Sequence, residues 1–366
     1  MSALFQQFKM RALELSNRIV VSPMCQYAAK DGKATAWHSI HLGNMAISGA
    51  GMLIVEATAV EPEGRITYAD LGLWCDQTEY ALSTVVHSIK EYSPIPLVIQ
   101  LAHAGRKASK DLPWKGGKQI MSDQPNGWQS YSSSCFPHNE GDMKPIALTK
   151  NDMNRIKKAF AEAANRADRI GFDGIEIHAA HGFLLHQFLS PLSNRRQDEY
   201  GGSLENRIRY PLEVFTAVRS AFSIHKPVGV RVTVNDWIDG GWTLEETIVL
   251  SLRLKELGVD WIDASSGGLT INQTINAAPG YQVPGAYAIK SATGLATMAV
   301  GLITEPKQAE EIITSEKADM VALGRGMLYN PRWPWHAAAE LHAQVWAPPQ
   351  FFKAPPQNVG RIFKQL

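Results

Sequence analysis

Asp173-Gly174-Ile175-Glu176-Ile177-His178-Ala179-Ala180-His181-Gly182-Phe183-Leu184 is the stretch that decides the fold. Residues 173–178 read as a strand, and two imidazoles stand three apart where that strand ends. A helix precedes it. Thr149 can cap that helix, its apolar face is Met153, Ile156, Phe160, Ala163, Ala164, Ala167 and Ile170, and Gly171 ends it. Further strands follow at 227–233, 261–265, 296–300 and 320–323. Between them Thr243-Leu244-Glu245-Glu246 is a capping box, Gly258 closes its helix, and Thr304 with Pro306 starts another. The first half repeats the rhythm with strands at 19–22, 52–57 and 97–101. Eight strands alternating with helices predict an α/β fold, a (β/α)8 TIM barrel. No Gly-x-Gly-x-x-Gly follows a strand, which counts against a dinucleotide-binding sheet.

A chain of 366 residues suits one such barrel with an insertion, here residues 1–346. Residues 107–148, rich in Gly, Pro, Ser, Trp and Asn, break the rhythm between strand 3 and helix 3 and predict a cap over the barrel mouth. Residues 347–366 carry four prolines and predict an extended tail that reaches a neighbouring subunit. Apolar residues are 45%, charged residues 19% and the net charge is +1, which gives no reason to expect nucleic acid or an anionic membrane as partner. No apolar run has the length of a membrane span, and the first residues lack a signal-peptide core, so a cytoplasmic protein is expected. Cys25, Cys75 and Cys135 are far apart, which supports no disulfide framework, zinc site or iron–sulfur cluster.

In a barrel of this kind chemistry collects at the C-terminal ends of the strands. Those ends hold few acids and many amide, imidazole and guanidinium donors: Gln100, His103, His178, Arg231 and Arg325. Gly301 and Gly324 with Arg325 suit a phosphate, or are simply turns that enter helices. His178 and His181 read in three ways: metal ligands without a third partner, structural histidines, or paired donors to an oxygen that gains negative charge. Their strand-end position favours the donors. Arg231, among apolar residues, needs an anionic partner.

These residues sit in motifs that resemble the old yellow enzyme family of FMN-dependent ene-reductases. The likeness is nearest to its thermophilic-like subgroup, similar to xenobiotic reductase-type NADPH dehydrogenases. Residues 17–27, 55–60, 64–67, 100–107, 176–182, 189–195, 198–203 and 205–207 carry the resemblance, in order and across nearly the whole chain. It implies FMN at the barrel mouth, with Pro23, Met24, Cys25 and Ala57 against the flavin and Gln100 on its pyrimidine edge. It places Arg231 at the N1/C2 region, and Val300, Gly301, Gly324 and Arg325 at the phosphate. His178 and His181 would hold the carbonyl or nitro oxygen of an unsaturated substrate, and hydride would reach its β-carbon. NADPH or NADH would reduce the flavin first, in a ping-pong cycle. Cys25 and Tyr27 would take catalytic roles, and Tyr27 and Ile66 would contact the substrate. A homodimer or tetramer is implied, with Arg361 reaching a neighbouring site.

Phe183 departs from the family, which usually has a Tyr there whose phenol protonates the substrate α-carbon; Phe cannot. Enone reduction is therefore expected to be slowed, and quinone or nitro reduction is an alternative. Other readings are a flavin-binding sensor or diaphorase, and a non-redox barrel that binds a phosphorylated sugar. Larger relatives with an iron–sulfur domain are disfavoured, because no cysteine cluster is present.

Overall fold

The computed structural model describes residues 2–364. Eight strands close into a barrel in chain order: β1 (Ile19–Val21), β2 (Met52–Ala59), β3 (Leu97–Ala102), β4 (Gly174–Ala179), β5 (Val228–Thr233), β6 (Trp261–Ser265), β7 (Ala296–Ala299) and β8 (Met320–Leu323). Every neighbouring pair is parallel, and β8 pairs with β1 to complete the ring. The outer helices are α1 (Ala36–Ala46), α2 (Asp76–Tyr92), α3 (Lys150–Ile170), α4 (Leu204–Ala221), α5 (Leu244–Glu256), α6 (Val283–Thr293), α7 (Pro306–Thr314) and α8 (Trp333–Glu340). The expected TIM barrel is the observed fold.

Local signals act where they were read. Thr149 accepts a hydrogen bond from the Asp152 amide, the seven apolar residues of α3 are all buried, and Gly171 ends the helix at φ 95°. Thr243 and Glu246 form the capping box of α5. Several strand ends differ from expectation by one residue, and two differences are structural. Strand β2 runs on to Ala59, with a register shift between Val55 and Thr58, and α7 is capped by Glu305 rather than Thr304.

Strand side chains alternate between faces, so every second residue points into the barrel. The lower interior is apolar: Val20, Met52, Ile54, Val98, Trp261, Met298 and Met320. A hairpin of Phe8–Met10 and Leu13–Leu15 closes it from below, adding Met10 and Leu15 to that cluster. Trp261 fits only because its neighbour on β5 is Gly229; a Cβ there would lie 2.0 Å from the indole. One layer higher the interior turns polar, with Gln100, Glu176, Arg231 and Asp263 all buried. Buried polar groups are costly unless paired, so this layer needs a partner in each strand or in a ligand.

The long connection from β3 to α3 carries two 3-10 turns, Gly105–Lys107 and Pro113–Lys115, and a small sheet of Tyr131–Ser132 with Ile146–Ala147. It is tied to other loops: Trp128 Nε1 donates to Glu63 O at 3.0 Å, Ser132 Oγ to Gln187 Oε1 at 2.9 Å, and Arg106 to Leu269 O at 3.1 Å. The tail is not simply extended. It holds a 3-10 turn, Pro349–Phe351, and Phe363–Lys364 returns to pair with Val345–Trp346. Trp335 packs on both Phe351 and Phe363, which folds the tail onto its own chain. Val345 lies beside Gly49, in the loop that feeds β2 from below. Arg361 is exposed at that lower end, so it does not enter the mouth of its own barrel. Among the described residues no helix is long and apolar enough to cross a membrane, and no cluster of three or more metal-ligating side chains occurs.

Candidate active site

The two histidines of the opening stretch converge at the end of β4. His178 Nε2 and His181 Nδ1 lie 3.4 Å apart, with the rings perpendicular. The Ala180 amide donates to His178 Nδ1 at 3.2 Å, so the hydrogen of that ring sits on Nε2. Burial, and then the Arg231 cation, push both imidazoles well below their ordinary pKa. They are neutral, each able to present one N–H.

His181 has a backbone φ of 58°, a conformation that costs energy in a residue with a side chain. Three bonds hold it. Its amide donates to Thr233 Oγ1 at 2.9 Å, Lys107 Nζ donates to its carbonyl at 2.7 Å, and its Nε2 lies 2.6 Å from Ser265 Oγ. The next residue must be Gly182: its φ is 72°, and a Cβ would lie 2.5 Å from the Gly268 carbonyl oxygen.

Beside His181 opens a cavity of about 220 Å³, lined by Arg231, Val300, Gly301, Gly324 and Arg325. All five were singled out from the sequence, and folding brings them together from β5, β7 and β8. Gly301 stands at φ 115° and Gly324 caps the short helix Arg325–Tyr329. Arg231 Nε lies 3.2 Å from Asp263 Oδ2 but makes no hydrogen bond, and both Asp263 oxygens are buried without one. Burial raises the Asp263 pKa against the Arg231 charge. Deeper in the barrel, Gln100 Nε2 donates to Glu176 Oε1 at 2.8 Å, and Trp261 Nε1 to Glu176 Oε2 at 3.2 Å. The first bond turns the amide nitrogen of Gln100 toward β4 and its carbonyl oxygen away. Burial, then Asp263, raise the Glu176 pKa.

Phe183 meets His178 edge to face at 4.7 Å and lines a small cavity with Ala57, Ile66 and Asp70. The loop after β1 closes on the same place. The Gln26 amide donates to Glu56 Oε2 at 2.8 Å, which ties Pro23, Met24, Cys25 and Tyr27 to β2. Cys25 is held as a neutral thiol, raised by burial and then by Asp70 and Glu56. The Tyr27 phenol is raised by burial and then by Cys25. Its ring lies 6.0 Å from that of Trp114, which the long β3–α3 connection supplies.

Sequence reasoning overlooked Lys107, Asp263 and Glu176 as parts of the site, and gave Ser265, at a strand end, no role. The available signal was alternation: positions 176 and 178, and 263 and 265, share one strand face. A larger groove of about 630 Å³ lies mainly on α4 and α5, and no strand residue lines it.

Comparison with known proteins gives the family. Residues 3–344 match the profile of the NADH:flavin oxidoreductase / NADH oxidase family. The chain belongs to that family. An NADPH dehydrogenase of Geobacillus thermodenitrificans (strain NG80-2) is 45% identical over 96% of this chain and 98% of its own length. Morphinone reductase superposes with a TM-score of 0.76 at 26% identity, covering 100% of this chain and 94% of the other. A 2-naphthoyl-CoA reductase, at 21% identity and a TM-score of 0.83, covers 92% of this chain and 52% of the other, and shows the fold alone. The family member described here is an oxidoreductase that uses FMN and a reduced nicotinamide, and the resemblance to old yellow enzymes holds. The residues fit FMN. Arg231 Nε is buried without a hydrogen-bond partner on the wall of a cavity whose far end is built from glycine backbone and Arg325.

Proposed function

We propose that this flavoenzyme is an ene-reductase, acting on α,β-unsaturated carbonyl or nitro compounds with NADPH or NADH as reductant. The convergence of two neutral imidazoles, His178 and His181, beside the cavity carries this reading. Bound FMN supplies the hydride chemistry. Pro23, Met24, Cys25, Ala57, Gln100 and Arg231 would hold its ring system, and Val300, Gly301, Gly324 and Arg325 its phosphate. The imidazole N–H groups hold the substrate oxygen and stabilise the negative charge that grows there when the β-carbon accepts hydride. Tyr27 and Ile66 border the substrate, with the β3–α3 connection as a cap above it.

Exposed Trp37, Ile40, Leu328 and Tyr329 support a homodimer or tetramer in which Arg361 serves the mouth of a second copy. A strictly monomeric protein at full activity would exclude that contact. Phe183 favours a second reading, a diaphorase that reduces quinones or nitro compounds and handles enones weakly.

The deciding experiment is anaerobic. The flavin absorption band of the purified protein is followed while NADPH and then 2-cyclohexenone are added. Bleaching and return support the ene-reductase. Bleaching without return favours the diaphorase, and absence of a flavin band after adding FMN defeats both.

A further inference from the structure

Lys107 stands beside the place where a hydroxyl is missing. Its Nζ lies 5.1 Å from the centroid of the Phe183 ring. It donates to the His181 carbonyl at 2.7 Å and to the Gly268 carbonyl at 3.0 Å. An ammonium has three N–H groups, so one remains. Its charged neighbours are Arg106 and Lys110 of the β3–α3 connection, while His138 from the same connection and His178 and His181 from the β4 side are held neutral by burial. Two acids lie on this side of the site: Asp70 lines the small cavity with Phe183, and Asp236 is occupied by His186 at 3.0 Å and Ser190 at 2.6 Å. Burial, then Lys110 and Arg106, push the Lys107 pKa down to about 7. Such an ammonium is a far better proton donor at neutral pH than an exposed lysine.

We propose that Lys107 delivers the proton to the substrate α-carbon in this chain, the task for which Phe183 has no hydroxyl. The proposal rests on the ene-reductase reading. Once hydride has joined the β-carbon, the displaced π electrons reside on the oxygen held by His178 and His181, as an enolate. A proton then leaves Lys107 Nζ, the enolate electron pair forms the new C–H bond at the α-carbon, and the C=O bond is restored. Lys107 is left as a neutral amine and regains a proton from solvent. The competing role is structural: Lys107 merely pins the strained His181 backbone, and its loss would then slow every electron acceptor alike.

The test compares two oxidants on the FMN-loaded, pre-reduced protein under anaerobic conditions. 2-Cyclohexenone needs a proton on carbon, whereas 1,4-benzoquinone takes protons on oxygen only. The ratio of the two reoxidation rates is the readout. In the unmodified protein the ratio declines as pH rises through about 7, because the acid form of Lys107 is lost. Lys107→Met lowers the ratio at least about tenfold and removes the pH slope. Lys107→Arg keeps a cation for the two carbonyls but cannot release its proton, so it lowers the ratio likewise even where the Met variant fails to fold. Adding Phe183→Tyr to Lys107→Met restores the ratio. An unchanged ratio in both variants, or a pH slope that survives in them, overturns the role of Lys107 alone. Reoxidation of the unmodified protein by the quinone but by no enone overturns the ene-reductase reading, and this role with it.

Discussion

His181 Nε2 stands 2.6 Å from Ser265 Oγ, so a hydroxyl at the end of β6 governs which nitrogen of a β4 imidazole carries hydrogen. His178 already has its hydrogen on Nε2, aimed at His181 Nδ1. For both rings to donate to one substrate oxygen, His181 must carry its hydrogen on Nδ1. Ser265 must then donate to Nε2. It is free to do so, because its other acceptor, Gln282 Oε1, is a distant 3.4 Å away.

Ser265→Ala removes that donor. A phenolate ligand that binds between the imidazoles is expected to lose about 1 kcal/mol, roughly fivefold in Kd. The shift of the flavin band during a ligand titration measures it, and an unchanged Kd would mean that another group sets the tautomer.

Phe183→Tyr places a phenol against the His178 ring, where Phe183 now packs at 4.7 Å. Reoxidation of the reduced protein by an enone is expected to accelerate, because the phenol adds a second proton donor to the one proposed at Lys107. Stopped-flow absorbance reads this directly. A rate equal to or below that of the parent would show that the missing hydroxyl does not limit the reaction.

Arg231 and Asp263 are both buried, and the guanidinium is the cation nearest that carboxylate. Arg231→Met strands Asp263 and should cost about 3 kcal/mol of stability. Urea unfolding of the FMN-free protein checks it, and Asp263→Asn in the same chain should recover much of the loss. In the FMN-loaded protein the same variant should lower the flavin reduction potential, since the reduced ring loses a neighbouring cation.

Acid should weaken the fold through His178 and His181. Both are held well below the ordinary value by burial and Arg231, whereas the unfolded chain takes up a proton at about pH 6.5. A depressed folded pKa contributes stability above the unfolded value and loses it as pH falls. Asp70, raised to about 7 by burial, acts in the opposite sense. The comparison is therefore between the parent and a His178→Asn, His181→Asn variant. The urea midpoint of the parent should fall more steeply between about pH 7 and 5.5. Parallel slopes would show that other groups dominate.

Much of this was legible before folding was considered. The helical face from Met153 to Ile170, the cap at Thr149 and the stop at Gly171 are local events, governed by backbone geometry and side-chain spacing, and α3 forms as they dictate. The grouping of Arg231, Val300, Gly301, Gly324 and Arg325 was also legible. Strand ends mark one rim of a barrel, and the structure gathers all five around one cavity. Arg361 shows where such reasoning stops. A proline-rich tail reads as extended, yet Trp335, Phe351 and Phe363 pack together and fold it back, a gain that appears only once α8 exists.

By itself the sequence determined the eight-unit barrel, the rim on which chemistry sits, and the absence of a hydroxyl at Phe183, because each follows from local periodicity or residue identity. Only the tertiary structure decided the partners: Ser265 for His181, Asp263 for Arg231, Glu176 for Gln100, and Lys107 beside Phe183. Those pairs join different strands or reach from the β3–α3 connection. Their distances depend on barrel closure and strand register, which no single segment encodes.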